Sequence, residues 1–313
     1  MLSYVLRRAG STAIVMLLVS LLVFMLLYLT PGDPAAVLAG DNATPEQIAT
    51  LRASMGLDDS APVQFWRWLS QVVQGNLGVS IFSNEPVVHL MAQRAEATLS
   101  LALATMTIAV PLAIALGVTA AHRAGTNTDR VLMLLSVVGF SMPAFVVGYF
   151  LVWVFAIKLQ WTPVQGYAPI AEGIGRWAWH LLLPAATLGL TYTALIARIT
   201  RATMLEVLSE DFIRTARAKG VPMLRILLRH ALRNAGVPIA TVIGIGVALL
   251  IGGVVVTETV FNIPGVGRLV VDAIARRDYP VIQGVILVFS AIYVLLNMAT
   301  DLSYTLIDPR IRY

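Results

Sequence analysis

Six long apolar runs dominate the pattern of hydrophobic and polar positions along the chain. They lie near residues 9–30, 98–120, 131–157, 181–200, 236–257 and 282–305. A helix of about 20 apolar residues crosses the ~30 Å hydrocarbon core of a bilayer, so each run is long enough for one span. The pattern predicts an all-α, polytopic membrane protein with six transmembrane helices.

Composition supports a membrane protein over a soluble one. The 313 residues are 58% hydrophobic and 12% charged, whereas a soluble domain has about 45–50% apolar and ~25% charged residues. One soluble core could not bury so much apolar surface. The chain has no cysteine, which excludes disulfides and thiolate metal sites.

The first apolar run follows Arg7 and Arg8 and so has the layout of a secretory signal. Its length of about 20 residues exceeds the ~7–15 of a signal core, which favours a retained transmembrane helix. Cleavage near Val37-Leu38-Ala39 stays open as an alternative.

The distribution of Lys and Arg predicts the orientation. With the N-terminus inside, the inner segments hold fourteen of the 22 basic residues and the outer segments hold eight. The positive-inside rule therefore places both termini in the cytoplasm. The predicted division is residues 1–30 with the first helix, a periplasmic helical segment at 31–97, and a five-helix core at 98–313. That core contains a long cytoplasmic segment, 206–235.

The periplasmic segment has its own helix signals. Thr44-Pro45-Glu46 is typical of a helix start, with Thr as the N-cap and Pro at the first helical position. We expect a helix from there to about Met55 and a second over 62–73. The second contains Trp66 and Trp68, which belong either to an interfacial belt or to a docking surface for a partner.

The predicted spans lack the residues that ion-coupled transport requires. Glu258 and Asp301 lie towards helix ends, whereas intramembrane proton relays usually need buried carboxylates or histidines. Lys158 and Lys219 are the only lysines, and neither belongs to a G-x-x-x-x-G-K-[ST] loop. The four histidines are scattered. We therefore predict a chain that is not an enzyme, with no cofactor or metal of its own, whose energy source is a separate protein.

Small residues and prolines mark the packing of the spans. Gly244, Ala248 and Gly252 recur every four residues, which favours close approach of a neighbouring helix. Prolines that can bend or start helices stand at Pro111, Pro143 and Pro184. The pattern fits either ordinary bundle packing or a translocation path formed by bent helices.

The cytoplasmic segment 206–235 predicts two short helices, 206–219 and 221–235, broken at Gly220 with Pro222 starting the second. Leucines 224, 227 and 228 fall on one predicted apolar face together with Ala231 and Ala235. Another face carries Arg225, Arg229 and Arg233.

Three interpretations of this basic segment compete. It could lie on anionic lipid, bind nucleic acid, or dock its apolar face in a groove of a partner protein. Nucleic acid is disfavoured because no other large basic surface exists in the chain. Docking is favoured, with lipid as the alternative, because an external energy source must be recruited by the one large inner segment.

The stretch 257–269, TETVFNIPGVGRL, follows the fifth predicted span. Its glycines and proline favour a turn that returns to the membrane. We expect an external gate formed by Glu258, Phe261, Pro264, Gly265, Gly267 and Arg268. Glu258 and Arg268 are candidates for contacts with a binding protein or a second permease. A packed loop cap is the alternative.

At 208–235 the chain resembles a permease subunit of ABC importers, specifically the B-type member of the dipeptide/oligopeptide/nickel group. The general signature of such permeases is E-A-A-x-x-x-G followed later by I-x-L-P. Ala216 and Gly220 match it, whereas Arg214 and Thr215 replace Glu and Ala, and 230–233 reads HALR. These departures agree with the peptide branch of the group, whose members resemble DFIRTARAKG and HALRNA as they stand here.

Further motifs extend this resemblance over nearly the whole chain. They are LTPGDP at 29–34, GLDDSAPVQFWRWL at 56–69, GNLGVS at 75–80, Arg94 with Thr98-Leu99, SMPAF at 141–145, VFNIPGVGRLVVDAI at 260–274 and DPRIR at 308–312.

The resemblance implies a heteromeric importer of the bacterial or archaeal cytoplasmic membrane. This subunit would pair with a second permease, two ATPases that bind ATP and Mg, and a substrate-binding protein. Segment 206–235 would be the coupling element, with coupling residues Arg214, Thr215, Ala216, Arg217, Lys219, Gly220, Leu224, Arg225, Leu227, Leu228 and Arg229.

The expected cargo is a dipeptide or short peptide. Glutathione is an alternative, because LSEDFIRTARAKG at 208–220 and RRDYPVIQ at 276–283 also resemble glutathione importers. Nickel is less favoured, since no histidine cluster suggests a metal path. A stand-alone secondary transporter and a membrane-anchored scaffold are alternatives from other classes.

Overall fold

The computed structural model describes residues 2–29, 34–39, 43–54 and 56–307 of the chain. Within these ranges the regular structure is helical, and the only β-type pairing is an isolated bridge between Val79 and Pro86. The prediction of an all-α protein is confirmed. The DPRIR motif, most of LTPGDP and Met55 lie outside the described residues.

Fourteen α-helical segments follow one another along the described chain. They are α1 (Leu2–Leu29), α2 (Pro34–Ala39), α3 (Pro45–Ser54), α4 (Ala61–Val73), α5 (Val87–His122), α6 (Asn127–Ser141), α7 (Ala144–Leu151), α8 (Ile174–Leu208), α9 (Asp211–Ala218), α10 (Met223–Arg225), α11 (Leu232–Asn234), α12 (Gly236–Val260), α13 (Val266–Arg276) and α14 (Tyr279–Ile307). Two π-helical stretches, Val152–Lys158 and Ile226–Ala231, extend α7 and join α10 to α11.

Four helices in the described part of the chain are long and apolar enough to cross a membrane. They are α5, α8, α12 and the Tyr279–Thr300 part of α14. A fifth span exists if α6 and α7 with its π-helical extension count together, although these two are bent by 106°. In α1 the apolar helix Gly10–Met25 is shorter than these. The predicted six spans are therefore not confirmed.

The bend between α6 and α7 corrects the prediction of one continuous span over 131–157. Met142 is extended (ψ 130°) and Pro143 precedes the first turn of α7. Proline disfavours helical backbone in the residue before it and cannot donate the N–H that a continuous helix requires. Pro111 and Pro184, in contrast, lie inside the unbroken helices α5 and α8.

The chain divides into two compact units, and the larger comprises Arg94–Arg268 with Tyr293–Tyr313. Helix α8 is the most buried span of this unit. Its Leu181, Leu188 and Ile196 are almost fully buried and pack with Leu101 of α5 and Val254 of α12. Burial of these side chains away from lipid makes α8 the centre of the unit.

The predicted small-residue stripe on α12 is only partly used for packing. A Cβ at Gly244 would overlap the side chain of Thr300 in α14, and Ala248 is buried, so both positions admit a close neighbour. A Cβ at Gly252 would meet nothing within 4 Å. Gly253 packs on α8 instead, where a Cβ would lie 2.7 Å from Cδ1 of Leu188.

The smaller unit comprises Met1–Gln93 with Leu269–Ile292. The helix predicted at Thr44-Pro45 is confirmed: the Thr44 hydroxyl accepts from the N–H of Gln47 (3.3 Å), and Gln47 Oε1 accepts from the N–H of Thr44 (2.9 Å). This reciprocal pair is a capping box.

The two tryptophans of α4 have different environments. Phe24 of α1 lies 5.4 Å from Phe65 and 5.7 Å from Trp68, ring centroid to ring centroid. Trp68 therefore packs on α1, whereas Trp66 is 61% exposed. The choice between an interfacial belt and a docking surface now concerns Trp66 alone.

A buried carboxylate anchors the loop before α5 in this smaller unit. The hydroxyl of Ser80 donates to Oδ2 of Asp278 (2.5 Å), and the N–H of Ile81 donates to Oδ1 (3.2 Å). The motifs GNLGVS and RRDYPVIQ, nearly 200 residues apart, thus meet through Ser80 and Asp278.

The two ends of helix α12 as candidate functional site

The segment before α12 contains the predicted break at Gly220, and that break is confirmed. Gly220 has φ +72°, in the left-handed region that favours glycine. The first helix is shorter than predicted, because α8 continues to Leu208 and α9 begins at Asp211 after the extended residue Glu210. The second helix runs from Met223 to Asn234 through the π-helical stretch Ile226–Ala231.

The prediction of one apolar face on this second helix is wrong. Leu227 is 6% exposed, whereas Leu224 is 67% and Leu228 54% exposed. A π-helical stretch closes i to i+5 hydrogen bonds, so it rotates the following side chains relative to an α-helical pattern. The leucines therefore separate into one that faces the protein and two that face outward.

The buried side anchors the segment to the rest of its unit. Ile213, Ile226, Leu227 and Ala231 belong to one core that also contains Met204 of α8, Val118 and Ala121 of α5, and Ile239 of α12. Ala216 is half-buried against the same core. These packed side chains hold the segment against α5, α8 and α12.

The outward side combines apolar and cationic groups. Leu224, Leu228, Arg225 and Arg229 form what we call the leucine–arginine surface, next to exposed Met223. The remaining predicted cations, Arg214, Arg217, Lys219 and Arg233, and the hydroxyl-bearing Thr215 are also exposed.

Few of these cations have an acidic partner. Arg214 contacts Asp211 at 3.2 Å in a solvent-exposed pair. Within the described part of the chain, Arg225, Arg229 and Arg233 form no ion pair. Exposed leucines among unpaired arginines are typical of a protein-binding surface, because arginine is enriched and apolar anchors are buried in such interfaces.

The other end of α12 contains a carboxylate with no exposed surface. Glu258 accepts a hydrogen bond from the Thr98 hydroxyl (2.6 Å) at Oε1 and from the Arg268 N–H (2.8 Å) at Oε2. The N–H of Gly267 also donates to it, and Thr98 Oγ1 in turn accepts from the N–H of Val266 (2.8 Å). We call Glu258, Thr98 and the backbone of 266–268 the Glu258 cage.

The glycines of the loop leave room for this cage. A Cβ at Gly265 would overlap the Glu258 carboxylate, and a Cβ at Gly267 would lie 2.7 Å from the Cα of Val255. Phe261 and Ile263 are fully buried, whereas Pro264 is exposed. These contacts fit the packed loop cap, and the external gate stays a prediction. The buried Glu258 has no surface with which to contact a partner directly.

Arg268, the other predicted contact residue, is half-exposed. Its guanidinium hydrogen-bonds Oδ1 of Asn262, whose φ of +54° is left-handed. This bond ties the start of α13 back to the turn that ends α12.

Two polar contacts were not predicted from the sequence. Asp129, at the start of α6, accepts two hydrogen bonds from Arg201 of α8, at 2.5 and 2.7 Å, and one from the N–H of Gly125. Such a bidentate pair has strict geometry and fixes α6 against α8. The one sequence signal for this contact was an aspartate, Asp129, in the first turn of a helix.

The second unpredicted contact joins α5 to the loop between α7 and α8. The hydroxyl of Tyr167 and the N–H of Ile170 donate to Oε1 of Glu96 at 3.0 and 2.9 Å. Burial raises the pKa of Tyr167, so the phenol keeps the proton that it donates. Among the described residues, no group of three His, Asp or Glu side chains could hold a metal ion.

Comparison with known proteins places this arrangement in a family. The family model described as "Binding-protein-dependent transport system inner membrane component" matches residues 113–313, and the model of its N-terminal membrane component matches residues 1–102. The chain belongs to this family. It is thus a multi-pass inner membrane component of a binding-protein-dependent transport system.

Curated members of this inner membrane family are similar along their whole length. A probable peptide ABC transporter permease of Sinorhizobium fredii is 55% identical over 99% of both chains. Glutathione transport system permeases GsiC of Salmonella paratyphi A and Escherichia coli O6:H1 are each 43% identical over 100% of both chains.

A solved structure has a similar fold. A chain of the MetNI methionine ABC transporter in an inward-facing form superimposes with a TM-score of 0.52 at 16% identity. The match covers 71% of this chain and 94% of that one.

Proposed function

We propose that the chain is a permease subunit of an ATP-driven importer, in which α9–α11 couple ATP hydrolysis by a partner ATPase to movement of the membrane helices. The observation that carries this proposal is the division of leucines in the coupling segment. Leu227 holds the segment on its own unit, while Leu224 and Leu228 project outward between arginines.

The proposed mechanism is rigid-body coupling. Closure of two ATPases would displace the leucine–arginine surface, and the core around Ile213, Ile226 and Leu227 would transmit that displacement to α5, α8 and α12. Both termini and this surface would then lie in the cytoplasm, and the Glu258 cage on the periplasmic side. The chain itself supplies no catalytic residue, and ATP with Mg binds to the ATPases.

The proposed cargo is a dipeptide or short peptide, delivered by a substrate-binding protein and passed along a path shared with a second permease. The 55% identical relative is named for peptides and the 43% identical ones for glutathione. Glutathione is itself a small peptide-like solute, so it stays the alternative cargo. To separate the two cargoes, uptake of labelled dipeptide and of labelled glutathione is compared between cells that lack the chromosomal copy and the same cells with the chain restored.

Co-purification tests the coupling proposal. The double variant Leu224→Asp/Leu228→Asp is compared with the wild type, and Leu227 is left intact because its replacement would disrupt the core. We expect the double variant to lose the ATPases while it retains the second permease. The matched control is Val63→Asp/Val73→Asp, whose exposed valines lie on α4. Full retention of the ATPases by the Leu224/Leu228 variant would contradict the proposal.

A further inference from the structure

An apolar groove lies between the π-helical extension of α7 and helix α8. It has a volume of about 410 Å³, and no polar surface contributes to its walls. The walls include Leu151, Phe155, Trp161, Leu182, Leu183 and Ala186. This volume is within the ~300–1,000 Å³ of pockets that bind small molecules.

The groove opens to the outside of the unit. Leu182 and Trp179, which lie along it, are 43% and 50% exposed. Both of its helical walls belong to candidate membrane spans, Ala144–Lys158 and Ile174–Leu208. The medium around such an opening is hydrocarbon, and a flexible hydrocarbon chain fits a groove without polar walls.

Aromatic side chains and one cation lie on or next to the segments that form the groove. Trp161 and Trp179 line it, Trp153 precedes the wall residue Phe155 by two positions, and all three tryptophans are exposed, as is typical of side chains at a membrane–water interface. Lys158 Nζ lies 5.9 Å from the ring centroid of Trp153. Lys158 is three positions along the chain from the wall residues Phe155 and Trp161, so its Cα is within about 11 Å of the Cα of each of these two.

The lysine has no acidic partner in the described part of the chain. In the described ranges Lys158 makes no ion pair, and its one contact is the cation–π contact with Trp153. Thr162 also lines the groove, but its hydroxyl is buried and adds no polar surface to the walls. Lys158 is therefore the polar group near the groove that is open to a ligand.

We propose that this groove is a binding site for an anionic phospholipid. One acyl chain occupies the apolar walls, and the phosphate lies near Lys158. An open apolar groove with an exposed cation close to it matches the polarity of an anionic lipid better than that of an apolar helix. The proposal requires only that the chain spans a membrane and does not rest on the importer function.

Fluorescence quenching by brominated lipid tests the site, because Trp161 and Trp179 line it. The full chain in phosphatidylcholine–detergent micelles is titrated with dibrominated phosphatidylglycerol or, separately, dibrominated phosphatidylcholine. We expect phosphatidylglycerol to reach half-maximal quenching at a several-fold lower mole fraction. Lys158→Gln should abolish this preference, and Lys158→Arg should retain it.

A second pair of variants tests the acyl chain. Ala186→Phe, which fills the groove, should reduce quenching by both lipids, whereas Leu190→Phe, at an exposed α8 position outside the walls, should leave it unchanged. Equal quenching of the wild type by the two lipids would overturn the proposal. So would a phosphatidylglycerol preference that survives Lys158→Gln, or loss of the second permease from the Ala186→Phe variant, which would assign the groove to a protein interface.

Discussion

Helix α12 has a basic segment before it and a glycine-rich loop after it, and the two differ in where their polar groups point. Before α12, arginines and two leucines face outward and only one side of the helix is buried. In the last turn of α12, Glu258 is fully buried and hydrogen-bonds Thr98 and the loop that follows the helix, within the same unit. The leucines and arginines of the first region are open to contact with a partner. The carboxylate of the second region already has its hydrogen bonds within the chain.

This difference indicates different roles for the two ends of one helix. A surface with exposed leucines gains from burial against a partner, at roughly 25 cal/mol per Å² of apolar area. The Glu258 cage gains nothing from a partner while it is closed, so its contribution is to hold α12, α5 and α13 together. We therefore expect stability defects from the loop and assembly defects from the leucine–arginine surface.

Replacement of the buried carboxylate should give the largest effect. Glu258→Ala leaves the Thr98 hydroxyl and two backbone N–H groups without an acceptor, and each buried orphan costs about 1–3 kcal/mol. We expect a loss of roughly 3 kcal/mol or more, measured as a lower thermal unfolding midpoint in detergent. Arg233→Ala, at an exposed position before α12, should stay within about 0.5 kcal/mol of wild type. Equal midpoints for the two variants would break the comparison.

The next effect separates the two kinds of leucine. Leu227→Ala should destabilise the chain by about 2–5 kcal/mol, because it leaves a cavity in a packed core. Leu224→Ala should leave unfolding unchanged and instead weaken ATPase binding. Thermal unfolding and ATPase titration of the same preparations give both quantities. A stability loss at Leu224 as large as that at Leu227 would show that both leucines are structural.

A smaller effect distinguishes the glycines of the two regions. Gly267→Ala forces a Cβ to 2.7 Å from the Val255 backbone, and such overpacking costs about 1–3 kcal/mol. Gly220 has open space around it and needs only a left-handed backbone, which asparagine tolerates. Gly220→Asn should therefore unfold within about 1 kcal/mol of wild type. A midpoint as low as that of Gly267→Ala would argue against this explanation.

The smallest effect on stability is expected for two adjacent glycines, Gly252 and Gly253, inside α12. Gly253→Ala would meet the flexible end of Leu188 and should cost about 1 kcal/mol. Gly252→Ala faces open space and should be neutral or stabilise by up to about 1 kcal/mol, since alanine favours helix. Each variant of this adjacent pair is the control for the other. A lower unfolding midpoint for Gly252→Ala than for Gly253→Ala would contradict the packing of Gly253 on α8.

Prediction from sequence succeeded where one local signal determines the structure. The helix start at Thr44-Pro45 and the helix break at Gly220 each depend on residues next to one another. The apolar runs likewise gave the long helices, because their length exceeds what a soluble core needs.

Prediction was wrong or incomplete where the structure depends on which way a side chain points around its helix, or on contacts between residues far apart in the sequence. The π-helical stretch Ile226–Ala231 leaves no clear pattern in the sequence, yet it turns Leu227 away from Leu224 and Leu228. Gly252 and Gly253 differ by one position and by 100° around the helix. The cage partners Thr98 and Glu258 are 160 residues apart, so the burial of Glu258 could not be derived from its position near a helix end.

Single-cysteine labelling tests the central claim most directly, because the chain has no cysteine of its own. Leu224→Cys, Leu228→Cys and Leu227→Cys are each reacted with a polar maleimide, in the assembled transporter and after removal of the ATPases. The account predicts fast labelling at 224 and 228 only without the ATPases, and slow labelling at 227 in both states. Equal rates at 224 and 228 with and without ATPases would contradict a coupling role for the leucine–arginine surface.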